Sequence, residues 1–230
     1  MDLEFYEGNI IDAAADAIVL PANTRLKEGS GASAAIFHAA GAKELASACK
    51  QIGRCDVGKA VPTPAFHLKN TKFIIHAVVP KWIDGSHNEY DLLCSAYLSS
   101  LYLADMMNCS SIAFPLLASG NNKFDLKLAT EIAVKSINQF EGNNLKHAVI
   151  ILFGDNTTGF VQSLGYDVLK LSESKTTSPN WNEIANEGKE VLDDFLKNQA
   201  QKALVWLKDE DHQQLIMDRA LKIVRLLVTH

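Results

Sequence analysis

Short, continuously apolar runs alternate along this chain with longer stretches in which apolar residues recur at helical intervals. Ala17–Leu20, Phe73–Val79 (FIIHAVV), Ser111–Leu117 (SIAFPLL) and Val149–Phe153 (VIILF) are too short for helices and too apolar for loops. They predict strands buried on both faces. Between them, Ala34–Cys49 is Ala-rich and favours helix. Tyr90–Met107 spaces Leu92, Leu93, Ala96, Tyr97, Ser100, Leu101 and Ala104 at helical intervals, and Leu126–Phe140 is helical with Leu128, Ile132 and Ile137 among its apolar positions. Asp167–Leu171 reads as an edge strand. This alternation predicts an α/β domain: a mainly parallel sheet with helices on both faces. Ligands of such sheets sit in the loops at the carboxyl ends of the strands.

The pattern breaks at Ser172–Asn180 (SESKTTSPN), which reads as a linker. Asn180 and Glu183 have capping-box spacing and predict a helix start, with Val191, Leu192, Phe195 and Leu196 as its apolar stripe. Asp209, Glu210 and Asp211 suit the positive end of a last helix. Its apolar positions include Leu215, Ile216, Ala220, Ile223, Val224 and Leu227. The expected organisation is therefore an α/β domain over 1–172, a linker over 173–180 and a helical extension over 181–230. The extension's stripes either pack on the domain and on each other or dock a protein partner.

Composition narrows the class. The 230 residues are 47% hydrophobic and 21% charged, with a net charge of −5 and no dense basic run. A nucleic-acid backbone is thereby excluded as the main partner, because neutralising phosphates needs clustered Lys and Arg. The cysteines, Cys49, Cys55, Cys94 and Cys109, form no CxxC pair, and no Cys/His group has zinc spacing, so neither a metal nor a cofactor is expected. Unpaired thiols fit a reduced, cytoplasmic setting. Met1–Glu7 lacks the basic and apolar regions of a secretory signal, and no run reaches the ~18 apolar residues of a membrane helix.

The candidate chemistry is concentrated in Ala17–Gly41, AIVLPANTRLKEGSGASAAIFHAAG. A buried strand leads to Asn23, then Gly29–Ser30–Gly31, then an Ala-rich helix. Glycines allow the main chain to approach an anion, and a helix start offers free N–H groups with partial positive charge. The loop is a candidate diphosphate cradle; a plain glycine connector is the alternative. No Walker or Rossmann glycine pattern is present.

This segment resembles, without gaps, the first ligand loop of macro domains. Asp16–Val19, Ala22–Asn23, Gly29–Gly31, Ala35–Ile36 and Ala39–Gly41 match its strand, loop and helix. Gly8–Asn9–Ile10 is similar to the family's GDI turn, and Gly58–Ala60 with Thr63–Pro64 to its G-x-A-x-x-T-P strand. Ile75–Val78 with Pro80 and Trp82 resembles its IHxVxPxW segment, and Ser111–Pro115 its SIAFP strand, followed by Ser119–Gly120. The likeness runs over about residues 3 to 155. It implies a three-layer α/β/α macro-domain fold, here with a C-terminal helical extension, and a cleft for ADP-ribose or an ADP-ribosylated protein. By position, Asn9 stands where the family's Asp accepts from the adenine amino group. An amide oxygen could accept the same bond without charge assistance. Ile10 completes that turn, and Phe153 matches an aromatic that stacks on adenine. Gly29, Ser30, Gly31, Ala32 and Ser33 would wrap the diphosphate from one side, and Ser119, Gly120, Asn121 and Asn122 from the other. Asn23 would hold the distal ribose.

Departures from the family pattern bear on catalysis. Ser33 replaces an Asp that orients water in many hydrolases, and a serine without a partner base is a poor base near pH 7. Ser33 equally suits a helix cap. Asn122 replaces an aromatic over the distal ribose, and Lys123 reads as a solvated loop lysine, with a phosphate partner or a catalytic lysine as the alternatives. Three functions follow: hydrolysis of ADP-ribosyl groups by a water held by the ligand's phosphate and oriented by Asn23, with Ser33 as the other candidate catalytic residue; binding of ADP-ribose without turnover; or a protein-interaction role with a degenerate cleft.

Overall fold

The structure, a computed structural model, describes residues 1–171, 198, 201–202, 205–206 and 208–228. The linker and the helix expected after Asn180 therefore lie outside the described residues. Seven strands form one sheet: β1 Asp2–Glu7, β2 Ala17–Ala22, β3 Ala60–Pro64, β4 Phe73–Val78, β5 Ser111–Pro115, β6 His147–Leu152 and β7 Val168–Lys170. Their order is β3-β4-β2-β5-β6-β1-β7. Every neighbouring pair is parallel except β3 and β4.

The helices are α1 Ala32–Ala40, α2 Ala42–Ile52, α3 Glu89–Met106, α4 Leu126–Asn138, α5 Asp155–Ser163 and α6 Glu210–Val228. Side chains alternate across the pleat, so successive residues of β2 enter different cores. Ala17 and Val19 face the layer built from α3 and α4, with Phe73, Ile75, Phe114 and Ile150. Ile18 and Leu20 face the layer of α1 and α2, with Ile36, Phe37 and Leu45. The continuous apolar runs are explained by this double burial.

The structure corrects two sequence expectations. The single helix expected over Ala34–Cys49 is two, broken at Gly41, whose φ of 90° ends α1 and starts α2. β1 and α5 were not anticipated. β1 carries Asp2, Glu4 and Glu7, and α5 (DNTTGFVQS) has little apolar periodicity, so neither stands out from a loop.

Polar groups fix the base of the sheet opposite the ligand loops. Buried Asp16 takes hydrogen bonds from the Ser110 N–H at 2.7 Å and hydroxyl at 2.8 Å, and pairs with Lys72 Nζ at 3.0 Å. Its own N–H donates to Ser111 Oγ at 3.0 Å, tying β2 to β5. α6 lies against α3 and α4, with Ile216 and Ala220 in the domain core. Its start is capped by Asp209, which accepts from the N–H groups of Asp211 and His212. Lys59 Nζ donates to Gln213 Oε1 at 2.8 Å, and Arg219 pairs with Glu141 at 3.0 Å. Among the described residues, no helix is long and apolar enough to cross a membrane.

Candidate ligand cleft

The ends of β2, β4, β5 and β6 converge on one cleft of about 420 Å³. From β2 the chain runs through Asn23 and the glycine turn into α1. Gly31 holds φ 60° and ψ −130°, a backbone region essentially reserved for glycine, and it starts α1 without any side-chain cap. The first N–H groups of α1 are thus left for a ligand, with the positive end of the helix dipole behind them. A Cβ built on Gly31 meets nothing within 4 Å.

Within this loop Ser33 has a specific task. Its hydroxyl accepts from the Gly29 N–H at 3.0 Å, and the residue is buried. It pins the glycine turn to α1; it does not cap the helix, whose N-cap is Gly31. Among the described residues, no acidic or basic side chain lines the cleft beside it. Asn23 lines the cleft, but its side chain also shapes its own loop. Oδ1 accepts from the N–H groups of Arg25 and Lys27 at 3.1 and 3.2 Å, and Nδ2 donates to the Lys27 carbonyl at 2.6 Å.

The second wall follows β5. Tyr97 OH, deep in the core, accepts from the Leu117 N–H at 3.0 Å and anchors its root. Ser119 Oγ donates to the Leu116 carbonyl at 2.7 Å. Ala118 and Lys123 hold positive φ of 65° and 61°, strain that an alanine and a lysine carry in this turn. Asn122 is clamped in both directions: Nδ2 donates to the Pro80 carbonyl at 2.9 Å, and its carbonyl accepts from the Trp82 N–H at 2.8 Å. Trp82 in turn packs edge-on against Phe124 and Tyr90. Asn121 Nδ2 donates to Ser30 Oγ, bridging the two walls. Lys123 is exposed and outside the cleft lining.

The third contribution comes from β6. Phe153, directly after it, is 78% exposed, so it is no core residue. Gly154 then turns the chain at φ 89° into α5, whose Thr157 also lines the cleft. Val79, Leu116 and Ile151 supply apolar lining that the sequence did not single out, because their short apolar runs carry no mark of which end opens to a ligand.

Asn9 and Ile10 do not line this cleft. Ile10 is buried in the core, whereas Asn9 lies with Glu7, Asp12 and Lys170 in a separate depression at the end of β1. β1 and β6 are paired, and Gly8 N–H donates to the Leu152 carbonyl at 3.0 Å, so Asn9 and Phe153 occupy adjacent strand ends. Asn9 Oδ1 accepts from the Ile11 N–H at 3.4 Å.

Among the described residues that line the cleft none is ionisable, so an anion there would meet main-chain N–H groups and neutral side chains. The cysteine thiols are buried; burial pushes Cys49 up to about 11 and, against a weaker opposing hydrogen bond from Ser136, Cys94 up to about 12, leaving both protonated and unreactive near neutrality. Among the described residues, one group able to approach a cation, Asp84, His87 and Glu89, lies at the start of α3 outside the cleft. There the Glu89 carboxylate accepts N–H groups from Ile83, Asp84 and Gly85, which makes it a loop staple.

The macro domain family matches residues 19–133. A macro domain-containing protein of Caldanaerobacter subterraneus is 42% identical over 157 residues, covering 66% of this chain and 89% of that protein. An O-acetyl-ADP-ribose deacetylase of Escherichia fergusonii is 44% identical over 138 residues, covering 58% and 77%. Among solved structures, a Trypanosoma brucei macrodomain in complex with ADP-ribose superposes with a TM-score of 0.64 at 28% identity, covering 71% of this chain and 68% of that one. Strand order, the uncapped helix after a glycine turn and these likenesses agree, and the chain belongs to the macro domain family.

Proposed function

We propose that this chain binds ADP-ribose, with the diphosphate held between the Gly29–Ala32 turn and the Ser119–Asn122 loop. The observation that carries this reading is the uncapped start of α1 facing a cleft without any ionisable side chain. Such a site neutralises a diphosphate with fixed N–H dipoles. The exposed Phe153 supports a stacked base at one end, and Asn23 a ribose contact at the other. The four buried free thiols suit a reducing, cytoplasmic setting.

Titration calorimetry with ADP-ribose tests the reading. Saturable binding is expected, and no heat at millimolar ligand would overturn it in favour of a protein-interaction role. Gly31→Glu and Gly120→Glu should each abolish binding, because both positions open onto the cleft and a carboxylate there repels phosphate. Gly120 has no left-handed backbone to strain, so its variant separates blocked binding from a distorted loop. Retained affinity in a folded Gly120→Glu chain would refute the assignment.

A second reading, deacylation of O-acyl-ADP-ribose, is favoured by the relative named for that reaction. Water would attack the ester carbonyl, the acyl C–O bond would break, and the water's proton would pass to the departing ribose oxygen. With no ionisable side chain lining the cleft, a ligand phosphate oxygen is the acceptor at hand. The rate should then lack the bell-shaped pH dependence of an enzyme acid–base pair. A bell between pH 5 and 8 would contradict this route.

A further inference from the structure

We propose that the far rim of the cleft, carrying Arg25, Lys27, Lys81, Ile83 and Lys123, docks an acidic polypeptide segment to which the bound ADP-ribose is attached. This rests on the nucleotide-binding reading above and goes beyond it, because it concerns the polypeptide around the attachment point rather than the nucleotide.

The direction of the ligand follows from the sheet. Across the strand ends the order is β6, β5, β2, β4. Phe153, the base platform, directly follows β6, and the two loops that hold the diphosphate follow β5 and β2. The terminal ribose is therefore delivered toward the end of β4, where Val79 and Asn122 line the cleft. A protein that carries ADP-ribose is joined to it through that ribose, so its polypeptide emerges over the loops at this end.

Those loops share one character. After β4, Trp82 packs edge-on against Tyr90 and Phe124, while Lys81 and Ile83 on either side of it are exposed, Ile83 by 62%. The bond from the Trp82 N–H to the Asn122 carbonyl brings Lys123, also exposed, beside them. After β2, Arg25 and Lys27 flank the buried Leu26, and the N–H groups of both donate to Asn23 Oδ1 at the cleft. All of these cations are exposed, and none joins an ion pair among the described residues. The neighbouring acids are engaged elsewhere: Glu28 pairs with His38 at 3.3 Å, Asp84 with His87 at 3.0 Å, and Asp125 accepts from the Lys127 and Leu128 N–H groups at the start of α4. On a chain of net charge −5, this rim is a local surplus of positive charge. An acidic segment complements it. A single-stranded nucleic acid would bring the same charge but relies on aromatic faces for its bases. Here Trp82 is committed to Tyr90 and Phe124, and the exposed apolar group is the aliphatic Ile83, which suits a polypeptide side chain.

The test is calorimetric titration of the full chain with free ADP-ribose and with two synthetic peptides, each mono-ADP-ribosylated on one serine. One peptide has Asp and Glu around that serine, the other Ser and Gly. The acidic peptide should bind about tenfold tighter than the neutral one at low salt, as two or three exposed charge pairs give together, and the gain should shrink as salt screens them. Arg25→Gln combined with Lys81→Gln should remove most of the gain and leave the affinity for free ADP-ribose unchanged. Equal affinity for the two peptides, or a gain that survives in the double variant, would overturn the proposal while leaving ADP-ribose binding intact. A short RNA ending in ADP-ribose and bound more tightly than the acidic peptide would overturn it in favour of a nucleic-acid partner. Failure of free ADP-ribose to bind would overturn the function itself, and the docking surface with it.

Discussion

Ser33 shows how far a residue type can mislead when its partners are unknown. A serine at the mouth of a glycine turn reads as a cap or as a weak catalyst; the structure makes it an internal brace, holding the Gly29 N–H at 3.0 Å. Ser33→Ala should therefore loosen the turn and raise the Kd for ADP-ribose several-fold, about 1 kcal/mol for one lost hydrogen bond. The rate of a saturated single turnover on O-acetyl-ADP-ribose should stay nearly unchanged. A drop in that rate with unaltered Kd would return Ser33 to a chemical role. Phe153 moved the other way. The end of an apolar run suggests core and aromatic platform equally, and only its exposure separates them. Asn9 was legible as a departure from the family pattern, but its place in a depression apart from the cleft is set by the pairing of β1 with β6, which no residue type announces.

Among the elements, strands β2, β4, β5 and β6 and helices α3 and α4 were legible because burial on one or both faces writes a regular apolar pattern into them. The break between α1 and α2 was not. Alanine-rich sequence favours continuous helix, and the turn depends on what surrounds Gly41. At φ 90° an added Cβ would lie 2.7 Å from His67 Nδ1 and 2.8 Å from Glu44 Oε2. Gly41→Ala should accordingly destabilise the domain by about 1–3 kcal/mol through left-handed strain and crowding. The midpoint of urea unfolding reads this directly; an unchanged midpoint would show that the corner adapts.

For the whole molecule, burial couples stability to pH. His76 sits inside β4, fully buried, with Nε2 3.0 Å from Thr63 Oγ1, and burial holds its pKa down to about 3. The folded chain keeps His76 neutral, while the unfolded chain protonates it below its ordinary value near 6.5. Stability should therefore fall as pH drops from about 6.5 toward 3, by about 1.4 kcal/mol per pH unit for this one proton. For Asp16, burial alone would raise the carboxyl's pKa, but hydrogen bonds from Ser110 and the Lys72 ammonium outweigh it and hold it below the usual range. Its contribution is present above the ordinary carboxylate value and is lost as pH falls through the lowered folded one. Urea titrations at pH 7 and 5 should show the first effect before the second, and His76→Asn should flatten the slope between them. A slope unchanged in that variant would remove His76 as its source. The sequence by itself determined the alternating architecture, the place of the glycine turn and the family, since periodicity, glycine and ordered motifs are local properties of the chain. Tertiary structure alone decided which groups face the cleft, which acceptors are already filled and which side chains stay neutral. Those outcomes depend on neighbours distant along the chain: Ser30 with Asn121, Pro80 with Asn122, and the strand ends that bring Asn9 beside Phe153.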